Sequence, residues 1–76
     1  MLTVDTSLHD SALRVLIFER CAKHGTVKTI RIVRSSRSCR CVIEMASQRE
    51  TEALYLEVGD SRFGHAVVIR LEMPTP

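Results

Sequence analysis

Arginine and lysine are the residue types whose placement in this chain could do chemistry. From Arg20 to Ile43 there is no Asp or Glu, while Arg20, Lys23, Lys28, Arg31, Arg34, Arg37 and Arg40 supply seven of the eleven basic residues. Six of the nine acids follow, from Glu44 onward. A net charge of +2 therefore conceals one positive region, a field suited to phosphates or acidic ligands.

The other reactive side chains form no comparable pattern. Cys21, Cys39 and Cys41 are odd in number, and the last two are one residue apart, which suits neither a disulfide scaffold nor a CxxC zinc knuckle. Reduced thiols are the expectation. His9, His24 and His65 have no ligand spacing, so no metal site is expected. There is no nucleophile beside a base, no paired carboxylates and no glycine-rich phosphate loop, since Gly25, Gly59 and Gly64 read as helix ends and turns. The expectation is a binding protein without a catalytic residue or cofactor.

The elements that must position the arginines can be read from periodicity. Met1 to Val4 alternates weakly, as a short first strand. Asp5, Thr6 and Ser7 then offer helix caps, with Ser7 and Asp10 spaced as a capping box. Leu8 to His24 has no Gly or Pro and ends at Gly25, which predicts a first helix of about four turns. Thr26 to Val33 is rich in β-branched residues and reads as a strand. Arg34 to Ser38 reads as a polar loop, and Cys39 to Met45 alternates as a half-buried strand, so the two strands should form a hairpin. Ser47 and Glu50 form a capping box for a second helix carrying Thr51, Leu54, Tyr55 and Val58 and stopping before Gly59. His65 to Met73 reads as the last strand, with Pro74 and Pro76 closing the ordered chain.

With 76 residues there is room for one core, so residues 1–76 are expected to be a single domain, ordered over about 2–73. An apolar content of 45% is too high for a disordered chain. No run approaches a membrane span and the N-terminus lacks the features of a signal peptide, which points to the cytoplasm, or to the nucleus in a eukaryote, and to no membrane partner.

The predicted order βαββαβ is the α+β, ferredoxin-like arrangement: a four-stranded antiparallel sheet with two helices on one face and the other face open. The run from Cys21 to Ile32 resembles the end of helix one and strand two of RNA-recognition motifs, including the protein-binding variety found in splicing factors. Val42-Ile43-Glu44-Met45-Ala46-Ser47 resembles the end of that family's third-strand octamer and its lead into helix two. The chain departs from the family where aromatic side chains normally stack bases: those positions hold Arg40, Val42 and Thr3.

The resemblance implies a sheet-face site of Thr3, Arg31, Val33, Arg40, Val42, Val68 and Arg70, with Arg34 and Arg37 in the hairpin loop at its edge. Its ligand would be single-stranded RNA, held weakly and in a salt-dependent manner. The alternative is an ordinary solvated sheet face. A second reading is a protein-interaction or homodimerisation module that keeps the fold and has lost RNA binding. Helix one supports it with two apolar stripes, Leu13, Leu16, Ile17 and Cys21 on one side, Val15, Phe18 and Ala22 nearly opposite. The resemblance assigns the first stripe to the core and leaves Val15 and Phe18 for a partner; the alternative register buries Phe18. Arg62 and Phe63 resemble the Arg-X-Phe ligand clamp of the protein-binding relatives, but are adjacent here, and Phe63 is expected to pack at the edge of the core. Arg34-Ser35-Ser36-Arg37-Ser38 is also a sequence whose phosphorylation would reverse the loop's charge.

Overall fold

The structure, a computed structural model, describes residues 2–72. The expected strand end at Met73 and the closing prolines lie outside the described residues. The elements are β1 (Leu2–Thr3), α1 (Asp10–Cys21) with a 3-10 turn (Ala22–His24), β2 (Val27–Arg34), β3 (Cys39–Met45), α2 (Gln48–Val58), β4 (Ser61–Phe63) and β5 (Ala66–Glu72). Among the described residues no helix is long and apolar enough to cross a membrane.

The α+β class holds, with both helices on one side of an open sheet, but the strand order departs from the ferredoxin-like one. The order is β1-β5-β3-β2, and β4 shares with β1 the edge of β5 opposite β3. Nor is the sheet wholly antiparallel: β1 pairs with β5 in parallel, Leu2 beside Leu71 and Thr3 beside Glu72. The reason is local. A strand at the centre needs both edges paired and apolar residues on both faces, and Ala66-Val67-Val68-Ile69 meets that demand. Leu2-Thr3 is ended by the turn that follows Asp5, whose carboxylate accepts hydrogen bonds from the backbone and hydroxyl of Ser7. Two residues cannot span the sheet, so β1 lies at its rim.

β4 arises where a loop was expected. Phe63 pairs with Ala66, and Gly64-His65 is a two-residue hairpin turn with Gly64 at φ +60°. Gly64 takes the first turn position, where the primed turn matching strand twist calls for glycine.

The core is a continuous cluster: Leu13, Ile17 and Cys21 of α1, Leu54 of α2, Cys39, Cys41, Ile43 and Met45 of β3, and Val67, Ile69 and Leu71 of β5. Every second residue of β3 and β5 enters it, as the two-residue side-chain period of a strand requires. Leu16 is only half-buried at the flank.

The two helix starts differ. At α2 the capping box forms: Ser47 Oγ accepts from the Glu50 backbone N–H at 3.2 Å and donates to Glu50 Oε2 at 3.0 Å. Glu50 Oε1 also accepts the Thr26 N–H, tying the start of α2 to the chain entering β2. Gly25 makes this approach possible. Its φ of +144° disfavours any side chain, and a Cβ would lie 2.4 Å from the Glu50 Cγ. At α1 no box forms; the helix begins at Asp10 behind an uncapped His9, because Ser7 turns to Asp5 and Asp10 turns to Arg34.

Candidate nucleic-acid interface

The register of β2, β3 and β5 places the candidate residues face by face. Residues directly opposite in a ladder share a face. Arg31 is opposite Val42, Val33 opposite Arg40, Arg40 opposite Arg70, and Val42 opposite Val68. The partners on the other face, Ile32–Cys41–Ile69 and Ile30–Ile43–Val67, lie beneath the helices. Arg31, Val33, Arg40, Val42, Val68 and Arg70 therefore form one continuous uncovered patch. Val42 and Val68 are half-buried at its centre, the three arginines are exposed around them, and Val33 is 46% exposed.

Arg40 and Arg70 stand directly across from one another, an arrangement of like charges that destabilises a bare sheet. Among the described residues the one ion pair is Arg34–Asp10, so neither of these two guanidinium groups is neutralised by a carboxylate. Glu44 and Glu72 also face this side. Glu72 Oε2 accepts from the Thr3 hydroxyl at 2.9 Å, and Glu44 lies beside Thr29 and Ala66 at the opposite end. The acids thus bracket the patch, with the arginines between them. A shallow depression of about 300 Å³ lies among Thr29, Ile30, Arg31, Val42 and Glu44.

Thr3 shares this face but sits at the rim, hydrogen-bonded to Glu72 rather than central, a consequence of the position of β1. Arg34 does not belong to the patch. It is the last residue of β2, opposite the buried Cys39, and its side chain lies on the helix side, where each guanidinium nitrogen donates one hydrogen bond. Nε donates to Asp10 Oδ1 at 2.8 Å, Nη1 to the Thr6 carbonyl at 2.6 Å and Nη2 to the Leu8 carbonyl at 2.9 Å. The planar fork of Arg suits this clamp, which fastens the β1–α1 loop to the sheet. The hydrogen bond to Asp10 raises the affinity of Arg34 for its proton further. Arg37 is exposed at the hairpin tip, in a turn closed by the Ser35 and Ser38 side chains and by the Ser35 N–H donating to the Ser38 carbonyl at 2.8 Å.

Phe63 is the residue whose position the sequence concealed. It is 69% exposed on β4, on the same face as Ala66, and the patch therefore has an aromatic ring at one margin. Arg62 points to the opposite side, half-buried, its Nε reaching the Gly64 carbonyl at 3.4 Å. The two side chains cannot close on one ligand, so the clamp suggested by their adjacency does not form, and Phe63 is not at the edge of the core. The alternation of Ser61-Arg62-Phe63 before a Gly-containing turn was the available signal. Val15 and Phe18 project from α1 at 56% and 48% exposure.

The cysteines belong to the covered face. Burial pushes the Cys21 thiol up to about 11 and the Cys41 thiol up to about 12, and it raises Cys39 as well. At neutral pH these are small apolar side chains rather than nucleophiles or metal ligands. No family model, curated protein or solved structure was found to match this chain.

Proposed function

We propose that the protein is a non-catalytic binding domain that holds single-stranded RNA on the uncovered sheet face. The observation that carries this reading is the facing pair Arg40 and Arg70, neither neutralised by a carboxylate among the described residues, beside an aliphatic centre of Val42 and Val68. A phosphate between the two guanidinium groups removes their mutual repulsion. Arg37 extends the positive track toward the hairpin and Arg31 extends it onto β2 beside Val42, and guanidinium planes also stack on bases. Phe63 supplies a flat ring at the other margin, where a base can stack. The face combines cations for the backbone with apolar surface for the bases, the pairing that unstructured nucleic acid requires. The likeness to RNA-recognition motifs supports the reading through layering and sequence pattern; the strand order differs.

The test is an NMR titration of labelled protein with degenerate single-stranded RNA at two salt concentrations. Shifts gather at Arg31, Arg40, Val42 and Arg70 and shrink as salt rises. Changing Arg31 and Arg40 together to Ala abolishes binding at moderate salt and reduces the logarithmic salt slope by about 1.4, two phosphate contacts at roughly 0.7 each. Unchanged affinity in the double variant rejects this face.

A protein partner is the second reading, favoured by the exposure of Val15 and Phe18 on α1, with Phe18 lining the groove beside β2, the last strand in the sheet order.

A further inference from the structure

We propose that the outer edge of β2, together with the groove between it and α1, binds an acidic extended peptide by strand addition. β2 is last in the strand order, so among the described residues one side of its eight residues has no strand beside it. Such an edge is a row of unused N–H and C=O groups.

The direction of those groups follows from the hairpin. The Ser35 N–H donates to the Ser38 carbonyl. The antiparallel alternation then turns the backbone groups of Val33, Arg31 and Thr29 toward β3 and those of Arg34, Ile32 and Ile30 outward. An independent contact agrees: the Ile30 carbonyl faces out and accepts a hydrogen bond from Arg14 Nη1 at 2.6 Å. The N–H and carbonyl of Ile32 share that side and offer an incoming strand its central pair.

The surroundings select the occupant. Arg14, Phe18, Val27, Lys28, Thr29 and Ile30 line a groove of about 400 Å³ that contains no carboxylate. Arg14 and Lys28 line the groove with positive charge, Arg31 is exposed on the open face of the same strand, and the half-exposed Phe18 ring gives an apolar side chain a surface to lie on. A peptide alternating acidic and apolar residues matches both features, its backbone completing the ladder and its carboxylates meeting the cations. A second copy of this chain would bring a second set of Lys28 and Arg31 to the same edge, like charge to like charge. Single-stranded nucleic acid has no amide ladder to offer. Arg14 shields the Ile30 carbonyl in the free protein and is released to a peptide carboxylate on binding.

The experiment uses ¹⁵N-labelled protein and, as probe, an acetylated peptide of alternating Glu and Val as long as β2, at low salt. Amide shifts and slowed hydrogen exchange at Ile30, Ile32 and Arg34 are expected. Phe18→Asp weakens the probe by about tenfold or more. The same peptide N-methylated on the amides that face the strand does not bind. Equal binding by the N-methylated peptide overturns the proposal in favour of charge attraction alone, and a silent spectrum overturns it outright. Shifts at Val42 and Arg70 instead would transfer the peptide to the open face. Protection of Ile32 that grows with protein concentration in the absence of peptide would show the occupant to be a second copy.

Discussion

β3 carries two chemistries on one backbone. Cys39, Cys41, Ile43 and Met45 face the helices and are buried, whereas Arg40, Val42 and Glu44 face outward. On the covered side most neighbours are apolar and the free energy lies in packing. On the open side Arg40 meets Arg70 across the ladder, a like-charge pair that costs stability. A residue set that weakens the fold where it stands is better explained by what it recognises than by what it supports.

The largest test of that contrast removes packing from the covered side. Ile43→Ala, at a fully buried position, should cost about 2–5 kcal/mol, enough to unfold much of a domain this small. Chemical denaturation monitored by circular dichroism measures it. Arg40→Ala, on the other face of the same strand, should leave the unfolding midpoint unchanged or raise it, and a fall comparable to that of Ile43→Ala would erase the distinction between the faces.

Phe63→Ala sharpens the comparison on the open side. If the ring stacks a base, RNA affinity falls by about 1–3 kcal/mol while the unfolding midpoint stays in place. Fluorescence anisotropy with labelled RNA reads the first quantity and thermal melting the second. Affinity that survives the change would remove the aromatic from the site and leave the arginines alone.

The effect that is smallest near neutral pH concerns the thiols. Unfolded cysteines ionise near pH 9, while the folded protein holds the Cys21 proton to about 11 and the Cys41 proton to about 12. Above pH 9 the unfolded chain therefore binds fewer protons than the folded one, and stability declines as pH rises. The loss is about 0.4 kcal/mol per thiol at pH 9 and grows through pH 11, with none at pH 7. Denaturant midpoints recorded across that range check it. A midpoint that stays flat to pH 11 would mean the thiols are not held on the dry side of the sheet.

Much of this molecule follows from local rules that the sequence states openly. The β-branched run of β2, the strict alternation of Cys39 to Met45 and the Ser47/Glu50 capping box each specify an element through short-range sterics and hydrogen bonding. Alternation also assigns Arg31, Arg40 and Arg70 to a common face once their strands are neighbours. The α1 register follows in part: Leu13, Ile17 and Cys21 are buried, and Val15 and Phe18 are exposed.

Competition between distant segments settled the rest. The β5 segment occupies the centre because it can bury both edges, which displaces the two-residue β1 to the rim and takes Thr3 away from the middle of the face. Arg34 reads as a loop cation among its neighbours, yet three acceptors from the β1–α1 loop and the first turn of α1 draw it to the covered side. Phe63 joins the open face only because β4 pairs with β5. Periodicity fixes which residues of one segment point the same way. Which segments lie side by side depends on contacts far apart in the chain, and only the folded tertiary structure decides them.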